Sequence, residues 1–259
     1  MAAVLEARNL CKRFGAVTAA ADISVAVESD TVVGLIGTNG AGKTTFVNMI
    51  TGYLKPSSGS IHFRGRDITR LGPRAITRLG VSRSFQIAQL FDSLTVAENM
   101  RVSLGIARRN GRPGRFGRLP VNVPGFDAPP EAVSDLILRR FDLTDWCDKP
   151  ARQLPGGVRK LLDIALASVG RPSVLLLDEP TSGVSAEEKY ALMDRVMKAV
   201  RGDGVTVLFV EHDMEIVERY AHRVLAFYDG RIIADEAPEA ALNDPEVIRY
   251  VIGGAPRHA

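Results

Sequence analysis

The glycine-rich segment from Gly37 to Thr44 offers the clearest chemistry in the sequence. Its residues, Gly-Thr-Asn-Gly-Ala-Gly-Lys-Thr, follow the pattern G-x-x-x-x-G-K-[ST] without a departure. Glycines let successive backbone N–H groups face inward around an anion, and a helix that follows adds its positive N-terminal end. Lys43 then supplies charge to the β- and γ-phosphates of a nucleotide, and the Thr44 hydroxyl supplies a ligand for Mg²⁺. The predicted nucleotide-binding residues are Gly37, Thr38, Asn39, Gly40, Ala41, Gly42, Lys43, Thr44 and Thr45.

Two carboxylates, Asp178 and Glu179, directly follow the apolar run Val174–Leu177. An uninterrupted apolar run is typical of a central parallel strand buried on both faces, and Asp178 would stand at its carboxyl end. A phosphate site of this kind needs such a carboxylate beside the metal, so Asp178 is predicted to bind Mg²⁺ through water. Glu179 is predicted to polarise the water that attacks the γ-phosphate.

The elements that must position these residues indicate an α/β core. Short apolar runs predict buried strands over residues 31–36, 174–178 and 205–210. A helix is predicted over Lys43–Thr51, directly after the phosphate loop. Ser185 and Glu188 form a capping-box pattern that predicts the start of another helix. Asp229-Gly230 predicts a tight hairpin turn between two strands.

The middle of the chain differs from this pattern, because helical periodicity dominates from Thr95 to about Ala167. Within it, residues 105–130 are rich in Gly, Pro and Arg and predict a long irregular loop. Six arginines and no acidic residue occur between Arg101 and Arg118. Two interpretations stay open for this segment, a solvated loop and a contact with anionic lipid headgroups or a membrane partner.

Composition excludes several classes of protein. The chain has 259 residues, enough for one large domain or two unequal ones, and its 33 basic and 30 acidic residues leave a net charge of +3. That surplus is too small to imply nucleic-acid binding. Cys11 and Cys147 form no CxxC pair, which fits a reducing compartment without a zinc site. We expect no signal segment and no membrane-spanning run, so another subunit must provide any attachment to a membrane.

Five motifs in order resemble the ATP-binding subunit of an ABC transporter over nearly the whole chain. They are the phosphate loop (the P-loop), Phe85-Gln86, Leu154-Pro-Gly-Gly-Val158, Leu177-Asp-Glu-Pro180 and Glu211-His-Asp213. The resemblance implies an α/β P-loop core with a mostly parallel sheet, an N-terminal antiparallel β portion and an inserted helical subdomain. It assigns residues 1–86 and 168–259 to the core, and residues 87–167, with the signature motif, to the helical subdomain.

The same resemblance implies roles for three further residues and a requirement for ATP and Mg²⁺. Gln86 would contact the metal and the attacking water, and would link them to the helical subdomain. His212 would contact the γ-phosphate and hold the catalytic geometry. Phe14 falls where the family places an aromatic ring that stacks on adenine, for which any flat aromatic face suffices.

Two motifs depart from the family pattern, and both act on the nucleotide of a paired subunit. In the signature motif, Leu154, Pro155, Gly156, Gly157 and Val158, a proline replaces the usual serine and a valine the usual glutamine. Ser185 replaces the aspartate of the D-loop. Because the residues that act on the chain's own nucleotide are intact, we expect a heterodimer with a second ABC ATPase subunit and one slow site, rather than a homodimer.

Finer features resemble the ATPases of branched-chain amino acid importers. They are Glu211-His-Asp-Met214, the arginine-rich insert and the C-terminal segment from Ala234 to Ile248. This resemblance implies import of branched-chain or other hydrophobic amino acids, with transmembrane permease subunits, indirectly a solute-binding protein, and no nucleic acid. The subunit would lie at the cytoplasmic face of the inner membrane. Alternatives are the ATPase of a lipid or lipopolysaccharide exporter, a soluble ABC ATPase, and a small-molecule kinase. The signature motif counts against the kinase.

Overall fold

The computed structural model describes residues 3–111, 129–200 and 204–253. The chain forms two compact units. The first, which we call the P-loop unit, contains the chain up to Ile76 and from Thr206 onward. The second, which we call the signature unit, runs from Thr77 to Val205.

Strands and helices alternate along much of the chain. In chain order, the strands are β1 (Ala3–Phe14), β2 (Val17–Glu28), β3 (Val32–Gly37), β4 (Ser58–Phe63), β5 (Arg66–Asp67), β6 (Val81–Ser84), β7 (Val174–Asp178), β8 (Thr206–Val210), β9 (Arg223–Tyr228) and β10 (Arg231–Glu236). The helices are α1 (Lys43–Ile50), α2 (Pro73–Leu79), α3 (Val96–Gly111), α4 (Pro130–Arg140), α5 (Gly156–Ser168), α6 (Glu188–Val200), α7 (Met214–Tyr220), α8 (Pro238–Asn243) and α9 (Pro245–Val247), followed by a π-helical turn over Ile248–Ile252. None of the helices in the described ranges combines the length and the apolar character needed to cross a membrane.

An antiparallel sheet with the strand order β2-β1-β4-β5 forms one part of the P-loop unit. Its longest pairing is the β1–β2 hairpin, in which Phe14 lies opposite Val17 across a two-residue turn. Alternate residues of β2, such as Ile23, Val25 and Val27, are buried, which is the period-2 pattern of a sheet with one face on the core. This sheet matches the N-terminal antiparallel portion that the motif resemblance implied.

A second sheet of the same unit places β3 at its centre, between β8 and β9, and in parallel with both. The side chains of Val33, Leu35 and Ile36 on β3 are fully buried, as expected for a strand covered on both faces. β9 pairs antiparallel with β10 through Asp229 and Gly230, both of which have positive φ (47° and 74°). The predicted hairpin turn is therefore confirmed.

The signature unit contains the parallel pair β6–β7, in which Val81 lies opposite Val174 and Ser84 opposite Leu177. Helices α3, α4, α5 and α6 supply the rest of its core, and α3 contacts both α4 and α5. The described part of the middle of the chain is helical apart from turns and one isolated bridge, as predicted.

One predicted boundary in this unit is wrong, and another is supported by the hydrogen bonds around it. The irregular loop was expected from residue 105, but α3 continues to Gly111, because residues 105–111 contain no proline and Arg108 and Arg109 complement the negative C-terminal end of the helix. Residues 112–128, which carry three of the six arginines counted above, lie outside the described residues. Ser185 and Glu188 mark the start of α6, as predicted. The Ser185 carbonyl accepts from the N–H groups of Glu188 and Lys189 over 3.1 Å, and the Ser185 hydroxyl donates to Glu188 Oε2 over 3.1 Å, while the helix itself runs from Glu188.

Candidate active site

The P-loop connects β3 to α1, and two of its glycines cannot be replaced by a larger residue. Gly37 has φ 151°, and a Cβ there would lie 2.5 Å from the carbonyl oxygen of Phe227. Gly42 has φ 106° and precedes α1, and a Cβ there would lie 2.8 Å from the carbonyl oxygen of Ala19. The N-terminus of α1 has no side-chain cap at Gly42, so its first N–H groups suit an anion such as a phosphate.

Lys43, the first residue of α1, is held against the loop that precedes it. Its ammonium group donates hydrogen bonds to the carbonyl oxygens of Gly37, over 2.6 Å, and Thr38, over 3.0 Å. The side chain is only 5% exposed, while that of the next residue, Thr44, is exposed. The loop therefore presents a fixed positive charge and an accessible hydroxyl oxygen, which is the donor set that a nucleotide phosphate with Mg²⁺ requires.

Phe14 lies at the end of β1, at the turn into β2. Its ring is 51% exposed, which is unusual for a large aromatic side chain, and the ammonium of Lys12 lies 5.1 Å from the ring centroid. A flat exposed ring is what stacking on a base requires. The role in adenine binding stays a prediction.

His212 follows β8 and is exposed, between two acidic residues that order the backbone around it. The Glu211 carboxylate accepts a hydrogen bond from the His212 backbone N–H over 3.1 Å. The Asp213 carboxylate caps α7 by accepting from the N–H groups of Glu215 and Ile216. The main chain thus fixes the position of His212 at the end of β8.

In the signature unit, Asp178 lies at the carboxyl end of β7, as predicted, and it forms an ion pair with Arg83 of β6. The Arg83 guanidinium donates to Asp178 Oδ2 over 2.5 Å, and the two side chains are only 8% and 14% exposed. Sequence reasoning missed Arg83. The available signal was an arginine within a short run of small and apolar residues directly before Phe85-Gln86.

Glu179 and Gln86, which were predicted separately as catalytic residues, are in direct contact. The Gln86 side-chain amide donates to Glu179 Oε2 over 2.8 Å. Glu179 has φ 47° although Pro180 follows it, whereas a residue before proline favours extended backbone. Such a conformation costs on the order of 1–3 kcal/mol and persists only where the surroundings impose it.

Two buried charged residues of α5, Lys160 and Asp163, hold the backbone around Gln86. Lys160 donates to the carbonyl oxygens of Phe85, Gln86 and Asp178 over 2.9, 2.9 and 3.2 Å. Asp163 accepts from the N–H groups of Phe85 and Gln89 over 3.1 and 2.9 Å. Burial raises the pKa of Asp163, against the opposing effect of these hydrogen bonds and of Lys160. Sequence reasoning missed both residues, whose signal was a pair of opposite charges three positions apart beside Leu161, Leu162 and Ile164.

The signature motif forms the start of α5. Pro155 is the N-cap residue, and its backbone, with φ −56° and ψ 153°, is still extended. The helix has no side-chain cap, and Gly156 is exposed. A Cβ on Gly157 would lie 3.7 Å from Val184 Cγ1, so the signature motif and the D-loop segment Val184-Ser185 run beside each other.

The described residues contain no group of three or more His, Cys, Asp or Glu side chains that could hold a metal ion. Mg²⁺ needs no such group, since it prefers oxygen ligands, keeps several waters and binds one or two protein groups together with phosphate oxygens. The Thr44 hydroxyl and the Asp178 carboxylate are oxygen donors of that type.

Known proteins resemble this chain along almost its whole length. The sequence model of the family described as ABC transporter matches residues 20–182. The high-affinity branched-chain amino acid transport ATP-binding protein LivG of Salmonella typhimurium is 34% identical over 255 residues, which cover 97% of this chain and 98% of that protein. The branched-chain amino acid transport ATP-binding protein BraF of Pseudomonas aeruginosa is 33% identical with the same coverage. A crystal structure of an ATP-binding cassette of an ABC transporter, in its ADP conformation, matches with a TM-score of 0.82 and 30% identity and covers 98% of this chain and 100% of that one.

Proposed function

We propose a function for this chain that starts from its membership of the ABC transporter family. It is the ATP-hydrolysing subunit that drives an importer for branched-chain or other hydrophobic amino acids. The family membership and the α/β cassette fold make the chain an ATP-binding ATPase of a transporter. The observation that carries the substrate class is the match over 97% of this chain and 98% of a relative named as a branched-chain amino acid transport ATP-binding protein.

The hydrolytic roles are assigned to the residues that sequence and geometry single out. The P-loop amides and Lys43 bind the β- and γ-phosphates, and the exposed ring of Phe14 stacks on adenine. Thr44 and Asp178 would supply oxygen ligands to Mg²⁺, and the ion would neutralise charge that develops on the phosphate oxygens. Glu179 takes a proton from the attacking water, and Gln86 orients Glu179 and the water through its side-chain amide. His212 donates a hydrogen bond to the γ-phosphate, and the products are ADP and inorganic phosphate.

Membership of the family implies that ATPase subunits pair and that they act on permease subunits. We propose that the partner is a different ABC ATPase subunit, because Pro155 and Ser185 remove a hydroxyl and a carboxylate that would act on the partner's nucleotide. Loss of one such donor costs on the order of 10²–10³ in rate. The site that uses this chain's signature motif would then bind ATP and hydrolyse it slowly, whereas the site that uses its P-loop and Glu179 turns over.

The remaining assignments concern the membrane. The helical subdomain, residues 87–167, would receive the permease at the cytoplasmic face, and a solute-binding protein would deliver the amino acid on the other side. Mg²⁺-dependent hydrolysis would supply the free energy for transport.

Uptake into proteoliposomes tests this function. The subunit is purified with its permease and partner ATPase, reconstituted, and supplied with labelled leucine, isoleucine or valine and the cognate binding protein. ATP-dependent accumulation of these amino acids is expected, with an excess of unlabelled leucine competing and aspartate not competing. ATP hydrolysis without accumulation of any hydrophobic amino acid would contradict the substrate class, and ATP-dependent movement of a lipid would favour an exporter.

A further inference from the structure

Helix α5 connects two regions of the chain, one that acts on the partner's nucleotide and one that acts on the chain's own nucleotide under the proposed function. Its first residues are the signature glycines, which act on the partner's ATP under the proposed function. Lys160 and Asp163, one and two turns further on, contact the backbone of residues 85–89, next to Gln86. With a rise of about 1.5 Å per residue, Gly156 and Lys160 are only about 6 Å apart along the helix axis.

The two charged residues are buried, at 4% and 5% exposure, and together they make five hydrogen bonds to backbone groups of other segments. Two buried charges contribute little net stability compared with well-packed apolar residues of similar volume. Hydrogen bonds to identified main-chain atoms, however, restrict the position of those atoms closely. The pair therefore fixes where the segment 85–89 lies relative to α5.

Lys160 also holds both sides of the Gln86–Glu179 contact. It donates to the carbonyl of Gln86 itself and to the carbonyl of Asp178, which belongs to the peptide that leads into Glu179. A rotation or shift of α5 would move these carbonyls, and with them the 2.8 Å bond between the Gln86 amide and the Glu179 carboxylate. A misplacement of catalytic side chains by about 1 Å lowers the rate by up to about 10²-fold.

We propose that Lys160 and Asp163 are positioning residues that transmit engagement of the signature end of α5 to the Gln86–Glu179 pair of the same chain. Contact of the α5 N-terminus with the partner's ATP fixes the helix, and the two side chains then set Gln86 and Glu179 for hydrolysis of the chain's own ATP. This coupling rests on the proposed function as one ATPase subunit of a dimer.

A double-mutant cycle tests whether the pair acts through Gln86. Asp163→Asn is close to isosteric, but it replaces one of two acceptor oxygens by an NH₂ group that cannot accept from a backbone N–H. In the assembled complex we expect this variant to lower kcat about 10- to 100-fold with KM for ATP changed less than about twofold. In a Gln86→Ala background, Asp163→Asn should cause a further loss of less than about twofold.

Arg159→Gln is the matched control, since Arg159 is the neighbouring basic residue of α5 and bonds to Asp92 and the Ala151 carbonyl instead. We expect it to change kcat less than about twofold. An equal loss from Asp163→Asn in both backgrounds, a loss confined to KM, or an equal loss from Arg159→Gln would overturn the proposal.

A second variant and a second measurement guard against misfolding. Lys160→Arg keeps the positive charge, but a guanidinium does not carry three donors on one nitrogen as the lysine ammonium does. We expect this variant to lower kcat as much as Asp163→Asn does, and to be equally non-additive with Gln86→Ala. Hydrogen exchange of the backbone N–H groups of Phe85 and Gln89 in the full chain should be faster in Asp163→Asn than in wild type. Unchanged exchange would contradict the role of Asp163 in holding these two N–H groups. Because the cycle can be run on basal ATPase activity, its failure is distinguishable from a failure of transport by the wild-type complex.

Discussion

The side-chain amide of Gln86 donates a hydrogen bond to the carboxylate of Glu179 over 2.8 Å. The two residues lie 93 positions apart in the chain, and Gln86 is exposed, so the contact depends on how each backbone segment is held. Glu179 follows a buried strand and has an unfavourable positive φ, whereas the main chain at Gln86 is held by Lys160. The residue assigned to activate water is thus connected to a loop that can respond to movement elsewhere in the unit.

Replacement of Lys43 should weaken ATP binding without unfolding the P-loop. Charge-assisted hydrogen bonds contribute about 1.5–3 kcal/mol each, so Lys43→Met should raise Kd for ATP by about 10- to 100-fold. Titration with a fluorescent ATP analogue measures this change. Lys55→Met, a change of a lysine outside the loop, serves as the control, and an unchanged Kd for Lys43→Met would show that the loop does not bind the phosphates.

Substitution of Pro155 by serine tests the asymmetry of the two nucleotide sites. A serine at this N-cap position restores a hydroxyl for the partner's γ-phosphate and caps α5, which should add about 1 kcal/mol of stability. If only one of two sites is defective, kcat of the complex should rise about twofold, since a second site joins the first. Pro155→Ala controls for loss of the ring, and an unchanged kcat for Pro155→Ser would refute a slow site caused by Pro155.

The part-buried Arg83–Asp178 ion pair should be more important for stability than exposed pairs of the chain. Arg83→Met leaves the part-buried Asp178 carboxylate without this partner, so the free energy of unfolding in urea should fall by about 1–3 kcal/mol. Arg8→Met, which removes the exposed pair with Glu6, should change it by less than about 1 kcal/mol. Equal small effects from both variants would mean that the Arg83–Asp178 pair is not held in the folded state.

The raised pKa of Asp163 predicts a specific dependence of stability on pH. Burial raises the pKa above the unfolded value of 3.8, so the folded state binds the proton more tightly than the unfolded state. The associated stability is fully present below pH 3.8 and is lost as the pH rises through the folded pKa. The free energy of unfolding of wild type minus that of Asp163→Asn should therefore fall as the pH rises from about 3.5 to 6. A difference that rises over this range would mean that the folded pKa is lowered instead.

Much of the fold was predictable because the relevant signals are local. The apolar run before Asp178 predicted β7 with its bounds, and Asp229-Gly230 predicted the β9–β10 hairpin. The family and the cassette fold, implied by five motifs in order, are confirmed by the relatives and the solved structure.

The rest depended on contacts that no local pattern encodes. Arg83, Lys160 and Asp163 escaped prediction because most of their partners lie 74 to 95 residues away in sequence, and the remaining one, the Asp178 carbonyl that Lys160 contacts, lies 18 residues away. Charges on an otherwise apolar helix face mark such residues but do not identify what they bind.

Mg-ATPase activity of Glu179→Gln tests the central assignment most directly. Wild type, Glu179→Gln and the exposed control Glu187→Gln are compared as purified chains and within the complex with the permease. We expect low activity alone, stimulation in the complex, and a fall of about 10²–10⁴-fold in the complex for Glu179→Gln only. Unchanged activity of the Glu179→Gln complex would place hydrolysis at the partner's site, and this chain would then bind ATP without hydrolysing it.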